Sequence, residues 1–181
     1  MKIALIAGHD SYFKQGAVAS GISENVFWNE LLEEIIDILP SKHKYKIFHR
    51  PNQSVYGYRG AVSRLHKDID HWGAQVDIEF HFNAAASKAS GHEVLYYKHS
   101  RSGKALATIL NDSFTKFLNN PNRGIKPVGR NDRGGYQLAI GRSVSLLPEP
   151  FFGTTEIQDF LKVGGKRHLL IDSIISFLEA I

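Results

Sequence analysis

Residues 77–84 read DIEFHFNA. Ile78, Phe80 and Phe82 alternate with Asp77, Glu79, His81 and Asn83, which is the period-2 pattern of a β-strand. The run then passes into AAASKASG (84–91), small residues ending in glycine. Alternation leaves the polar face open between two roles. It either meets solvent or carries His81 to a site at the strand's end.

The surroundings of this strand set the fold class. KIALIAG (2–8) is a short apolar run ending at glycine, the mark of a buried strand. After the glycine-punctuated loop HDSYFKQGAVASG (9–21), a helix is expected from about Ser23. Its apolar stripe is Val26, Phe27, Leu31, Leu32, Ile35 and Leu39, and Pro40 ends it. KYKIFHR (44–50) reads as a second strand. GYRGAVSRLHKDIDHWG (57–73) places Val62, Leu65, Ile69 and Trp72 at helical spacing, with Gly73 as the stop. Beyond the opening stretch, HEVLYYK (92–98) is a fourth strand. A helix from Ser102 follows, carrying Leu106, Ile109, Leu110, Phe114 and Phe117. NNPNRGIKPVGRNDRGG (119–135) is expected as a long polar loop, of a length that tends to be functional. YQLAIG (136–141) and VSLLPEPF (144–151) are expected as two more strands, and a helical tail runs from about Thr155. Alternating strands and helices predict one α/β domain over 1–181, an open, mostly parallel sheet of about six strands. No repeat or linker divides it.

Composition narrows the chemistry. The chain has 181 residues, 43% hydrophobic and 22% charged, ordinary for a globular domain large enough to build its own core. It contains no cysteine, so disulfides and thiolate metal sites are excluded, and any metal would rest on His, Asp or Glu. A net charge of +4 favours polyanionic surroundings without choosing among nucleic acid, anionic membrane and anionic wall polymer. The run after Met1 stops at Gly8, too short for a signal-peptide core, so synthesis in a cytoplasm without a signal peptide is expected. No stretch approaches the roughly 20 apolar residues of a membrane span. Membrane insertion is therefore not expected.

Sites in open α/β sheets form beyond the carboxyl ends of parallel strands. His9 follows the first strand, His81 lies near the end of the third, and Glu149 near the end of the last. Glu24 falls in the first turn of the first helix. Two histidines and a glutamate with an open position form a known catalytic zinc set, and a carboxylate outside the set can move protons. The bland account is equally explicit. A histidine beside a strand is commonly packed or solvated, nine are present, and a glutamate in a first helical turn already complements the helix dipole. Spacing alone leaves both open.

At these residues the chain resembles the zinc-dependent N-acetylmuramoyl-L-alanine amidases, the catalytic domain of bacterial cell-wall hydrolases and phage endolysins. IALIAGHD and GAVASGISE resemble the family's first strand, its ligand histidine and the loop to its ligand glutamate. IEFHFNAAASKASGHEVLYYK resembles its His-x-Asn strand, glycine turn and next strand. NRGIKP and VSLLPEPFFGTTEIQDF resemble the late loop and the strand with the catalytic glutamate. The resemblance implies His9, Glu24 and His81 as Zn2+ ligands, Glu149 as general acid/base and Asn83 as a substrate contact. It implies helices on both faces of the sheet, and hydrolysis of the amide between N-acetylmuramic acid and L-alanine in peptidoglycan.

Departures from the pattern are Asp10 and Ser11, where many members have glycines, Glu79, where a small residue is common, and the PFFGTT ending. Glu79 is expected either to orient His81 or to be a solvated or paired strand residue. His43, His49, His66, His71 and His168 are expected on the surface without a chemical role. His92 is expected to flank the fourth strand, within possible reach of the groove. Arg123, Lys126, Arg130 and Arg133 form either a solvated basic loop or a groove wall for stem-peptide carboxylates. With no wall-binding module or signal visible, the expected role is a phage or prophage endolysin in bacteriophage cytolysis, reaching the wall after holin-type release. Rival readings are a zinc carboxypeptidase or other amidohydrolase, a non-catalytic wall-binding module, and a basic nucleic-acid-binding module. No helix-turn-helix, RNA-recognition or zinc-finger pattern supports the last, so no nucleic-acid partner is expected.

Overall fold

The structure, a computed structural model, describes residues 1–12, 16–85 and 89–181. The loop expected at 9–21 and the run at 84–91 thus lie partly outside the described residues. The chain opens with β1 (Lys2–Ala7), a small hairpin of β2 (Val18–Ala19) and β3 (Ile22–Ser23), then α1 (Glu24–Ile35). Next come β4 (Lys44–Phe48), α2 (Gln53–Trp72), β5 (Val76–Phe80), β6 (His92–Tyr97), α3 (Arg101–Phe117) and β7 (Asn122–Val128). The four-residue α4 (Gly135–Leu138), β8 (Val144–Glu149), α5 (Gly153–Leu161) and α6 (Arg167–Ala180) complete it.

Six strands form one sheet in the order β4-β1-β5-β8-β6-β7. The pairings are parallel except β6 with β8, which is antiparallel. This is the expected single α/β domain with a mostly parallel sheet, and helices cover both faces. The pleat of β1 shows how: Ile3, Leu5 and Ala7 join a core with α1, α3 and α6, while Ala4 and Ile6 pack on Leu65 and Ile69 of α2.

Helix α1 begins where Ser23 caps it, its Oγ accepting from the Val26 N–H at 3.4 Å. Its buried stripe is Phe27, Trp28, Leu31, Leu32 and Ile35, all fully buried. Each of the three aliphatic residues contributes ~1.5–3 kcal/mol of transfer free energy. Trp28 takes the inward position expected of Val26, which is 37% exposed. Gly73 ends α2 in the left-handed region at φ 78, as its position predicts.

Four local expectations are corrected. The strand over 77–84 ends at Phe80, so His81 and Asn83 lie just past it, with the Asn83 backbone bridged to Phe152. The loop at 119–135 contains β7, an edge strand whose Arg, Lys, Gly and Pro disguise it, since an edge tolerates charge and a missing N–H. YQLAIG is not a strand. Gly134 at φ 75 turns the chain into α4, and a side chain at Gly135 would strike the Gly129 carbonyl. The tail is two helices, separated at Gly164 with φ 72 and closed by the Lys166 N–H donating to the Asp159 carbonyl at 2.6 Å.

Candidate metal centre and catalytic cleft

Parallel direction brings the ends of β1, β5 and β8 to one edge, and antiparallel β6 starts there. His9 stands one residue past Gly8 at φ 68, a left-handed conformation uncommon for a side-chain-bearing residue. The Asn25 side chain holds this bend by donating to the Gly8 carbonyl at 2.9 Å. Asp10, where glycine is common in the resembling family, accepts from Tyr12 N–H at 3.0 Å and Gln53 N–H at 3.3 Å.

Glu24, first residue of α1, uses both oxygens. Oε1 lies 2.8 Å from His81 Nδ1 and accepts the Phe82 N–H at 3.1 Å. Oε2 lies 3.3 Å from His9 Nε2. One ligand atom from each of His9, Glu24 and His81 falls within 4.8 Å of the others. Two glycines make this approach possible. A Cβ on Gly8 would lie 2.6 Å from His81 Nδ1, and one on Gly16 would lie 2.7 Å from Glu24 Oε2. Two imidazoles, a carboxylate and no thiolate fit zinc, with room left for water or substrate.

The electrostatics match. Burial pushes the Glu24 carboxyl up, but hydrogen bonds from His81 and His9 outweigh it and hold the group well below the usual range. Burial opposes a charge on His81, yet Glu24 and Glu79 raise its pKa to about 9. A metal binding here must displace that proton.

These groups line a cleft of about 550 Å³ that also contains Asn83, Glu93 and Glu149. The pKa of Glu149 is pushed up to about 7. Burial is the chief cause, and the charge and hydrogen bond of Glu93 add to it while His81 opposes. Asn83 Nδ2 donates to Glu93 Oε1 at 2.8 Å. The PFFGTT segment clamps Asn83: its N–H donates to the Phe151 carbonyl and its carbonyl accepts the Gly153 N–H, both at 2.9 Å.

Two acidic and four basic positions gain definition. Glu93 was not anticipated, because only the antiparallel direction of β6 sets it against Glu149. Glu79 is buried, paired with Arg50 and 3.1 Å from His81 Nε2, so it is not solvated. Arg123 and Lys126 approach Glu93 Oε2 at 3.0 and 3.9 Å, and Arg133 lines the cleft. Arg130 instead stacks over Tyr136.

Two histidines outside the metal cluster are buried, and of these His66 departs from the surface position expected for it. His66 is buried, because α2 turns it under the sheet rather than outward. His92 is also buried, tied to Asn120 Oδ1 at 2.6 Å and Thr115 Oγ1 at 3.1 Å, away from the cleft.

The sequence model for N-acetylmuramoyl-L-alanine amidase matches residues 3–155. The chain belongs to this amidase family. Curated proteins give no significant match. Among solved structures, the catalytic domain of the CD27L endolysin targeting Clostridia difficile superposes with a TM-score of 0.76 at 24% identity, covering 99% of this chain and 97% of that one. An N-acetylmuramoyl-L-alanine amidase from Clostridium difficile 630 gives 0.79 at 17% identity, covering 99% and 95%. The amidase AmiC2 of Nostoc punctiforme gives 0.77 at 18%, covering 99% and 96%. At these identities the structures establish a shared fold. The family membership makes peptidoglycan the substrate and amide hydrolysis the reaction. Among the described residues, no helix is long and apolar enough to cross a membrane.

Proposed function

We propose that this amidase is zinc-dependent, with His9, Glu24 and His81 as ligands and Glu149 as general acid/base, cutting the amide between N-acetylmuramic acid and L-alanine. The observation that carries it is the convergence of three donor atoms within 4.8 Å at the floor of a cleft that also holds a carboxyl with a pKa near 7. Zinc held by those donors would polarise the scissile carbonyl and acidify a water molecule. Glu149, poised near neutrality, takes the proton of the attacking water and hands it to the departing L-alanine nitrogen. Asn83, fixed by Glu93 and by the backbone of 151–153, presents its side chain to the muropeptide. The chain would act as one catalytic domain.

The cellular role we propose is that of a phage or prophage endolysin, made in the cytoplasm and released to the wall through a holin. Likeness in fold to an endolysin catalytic domain and the net charge of +4 support it. The test is metal analysis of the purified chain joined to a chelation assay. Equimolar zinc, peptide release abolished by chelator and restored by zinc, is the expected result. Full activity in chelator, without bound metal, would refute the proposal.

A further inference from the structure

Glu79 sits on β5 among Val76, Ile78 and Phe80, and is only 2% exposed. A carboxylate in such a place persists only with strong partners. Its Oε1 accepts from Arg50 Nη2 and lies 3.1 Å from His81 Nε2. Arg50 is itself 3% exposed, and the same Nη2 donates to Gln137 Oε1 at 2.7 Å. A buried chain of contacts therefore runs from Gln137 in the cleft wall through Arg50 and Glu79 to His81.

The two nitrogens of His81 face different carboxylates. Nδ1 points to Glu24, on the side of His9, and Nε2 points to Glu79. Glu79 stands outside the donor cluster of His9, Glu24 and His81, and its oxygen is already engaged by Arg50. An ionised carboxylate only accepts, so the hydrogen shared with it must reside on Nε2. Glu24 accepts from Nδ1 in the same way, and a metal bound among His9, Glu24 and His81 would take the place of that proton, leaving the Nε2 hydrogen with Glu79.

We propose that Glu79 is the positioning residue of His81, accepting the Nε2–H so that Nδ1 is the donor turned to the metal, with Arg50 fixing the carboxylate in place. This rests on the metal reading above. Carboxylates that hold the far nitrogen of a ligand histidine orient the ring and strengthen it as a donor, and losing one typically weakens metal binding 10–100-fold. A pair that served only the core would be replaceable by apolar residues without touching the metal.

The experiment compares wild type, Glu79→Gln and the double variant Arg50→Met/Glu79→Met, which leaves no lone buried charge. Zinc dissociation constants come from chelator competition on chains whose fold is checked by circular dichroism. The His81 Nε2–H is followed by proton–nitrogen NMR in the zinc-loaded state. Zinc binding about 10–100-fold weaker in the double variant, with the slowly exchanging Nε2–H signal lost, is expected. Glu79→Gln keeps the accepting oxygen without the charge. It should retain the signal with an intermediate loss of affinity, which decides the matter should the double variant not fold. A folded variant that binds zinc as wild type does would overturn the role. Failure of the metal reading shows instead in the wild type, as no zinc uptake at all, and takes this role down with it.

Discussion

Glu93 and Glu149 face each other across the antiparallel pair of β6 and β8. Their proximity and burial leave Glu149 with a pKa near 7 rather than in the usual carboxylate range. Arg123 and Lys126 reach Glu93 Oε2 at 3.0 and 3.9 Å. With Glu149 as the proposed general base, which must be ionised to take a proton, kcat/KM should rise with pH through its pKa. Zinc at the proposed site would add positive charge and lower that value, which would set the acidic limb at or below pH 7. Removing a neighbouring negative charge lowers it further. The Glu93→Gln variant should thus move the acidic limb to lower pH in a kcat/KM profile. A shift to higher pH would contradict the pairing.

Glu149→Gln tests the division of labour between ligands and base. The amide keeps shape and leaves His9, Glu24 and His81 untouched, so zinc content and melting temperature should stay close to wild type. Turnover should fall about 10²–10⁴-fold, the usual contribution of a positioned acid/base. Zinc loss in this variant would make Glu149 a ligand instead.

Gly8→Ala probes how tightly the ligands are packed. Its Cβ would press into the His81 ring, 2.6 Å from Nδ1. The ring must tilt or the β1 end must shift, at a cost of about 1–3 kcal/mol by the measure of other overpacked sites. Calorimetry should show a lower Tm together with weaker zinc binding. Unchanged zinc affinity would mean that His81 moves without consequence for the site.

The aromatic cluster under the cleft links stability to geometry. Phe151 stacks on Phe160 at 4.1 Å between centroids and touches Phe27, Trp28 and Phe82. Its carbonyl also accepts from the Asn83 backbone. Phe151→Ala should destabilise the chain by about 3–5 kcal/mol in denaturant unfolding, as for other large core deletions. A loss below 1 kcal/mol would indicate a core that refills the space.

The parts of this architecture visible in sequence are those with a local signature. β1 is an apolar run, α1 has a cap and a stripe, and Gly73 is a stop. His9, Glu24, His81, Asn83 and Glu149 could be nominated because strand ends and a helix start mark an edge, and because the family pattern includes them despite departures at Asp10, Ser11, Glu79 and PFFGTT. Features that depend on pairing were hidden. β7 became a strand only by lying against β6, since its own residues read as a polar loop. Glu93 acquired a place in the cleft only through the direction of β6, and Arg50 met Glu79 only because β4 and β5 flank β1. Alternation put Glu79 on the His81 face, yet could not say whether that face met water.

The most direct test of the central claim is the mass spectrum of purified peptidoglycan digested by the wild-type protein. Stem peptides with a free L-alanine amino terminus, alongside uncut glycan strands bearing free lactyl carboxylates, are the predicted products. Stems still attached to the glycan and shortened only at their carboxyl ends would contradict the assignment and make the enzyme a carboxypeptidase.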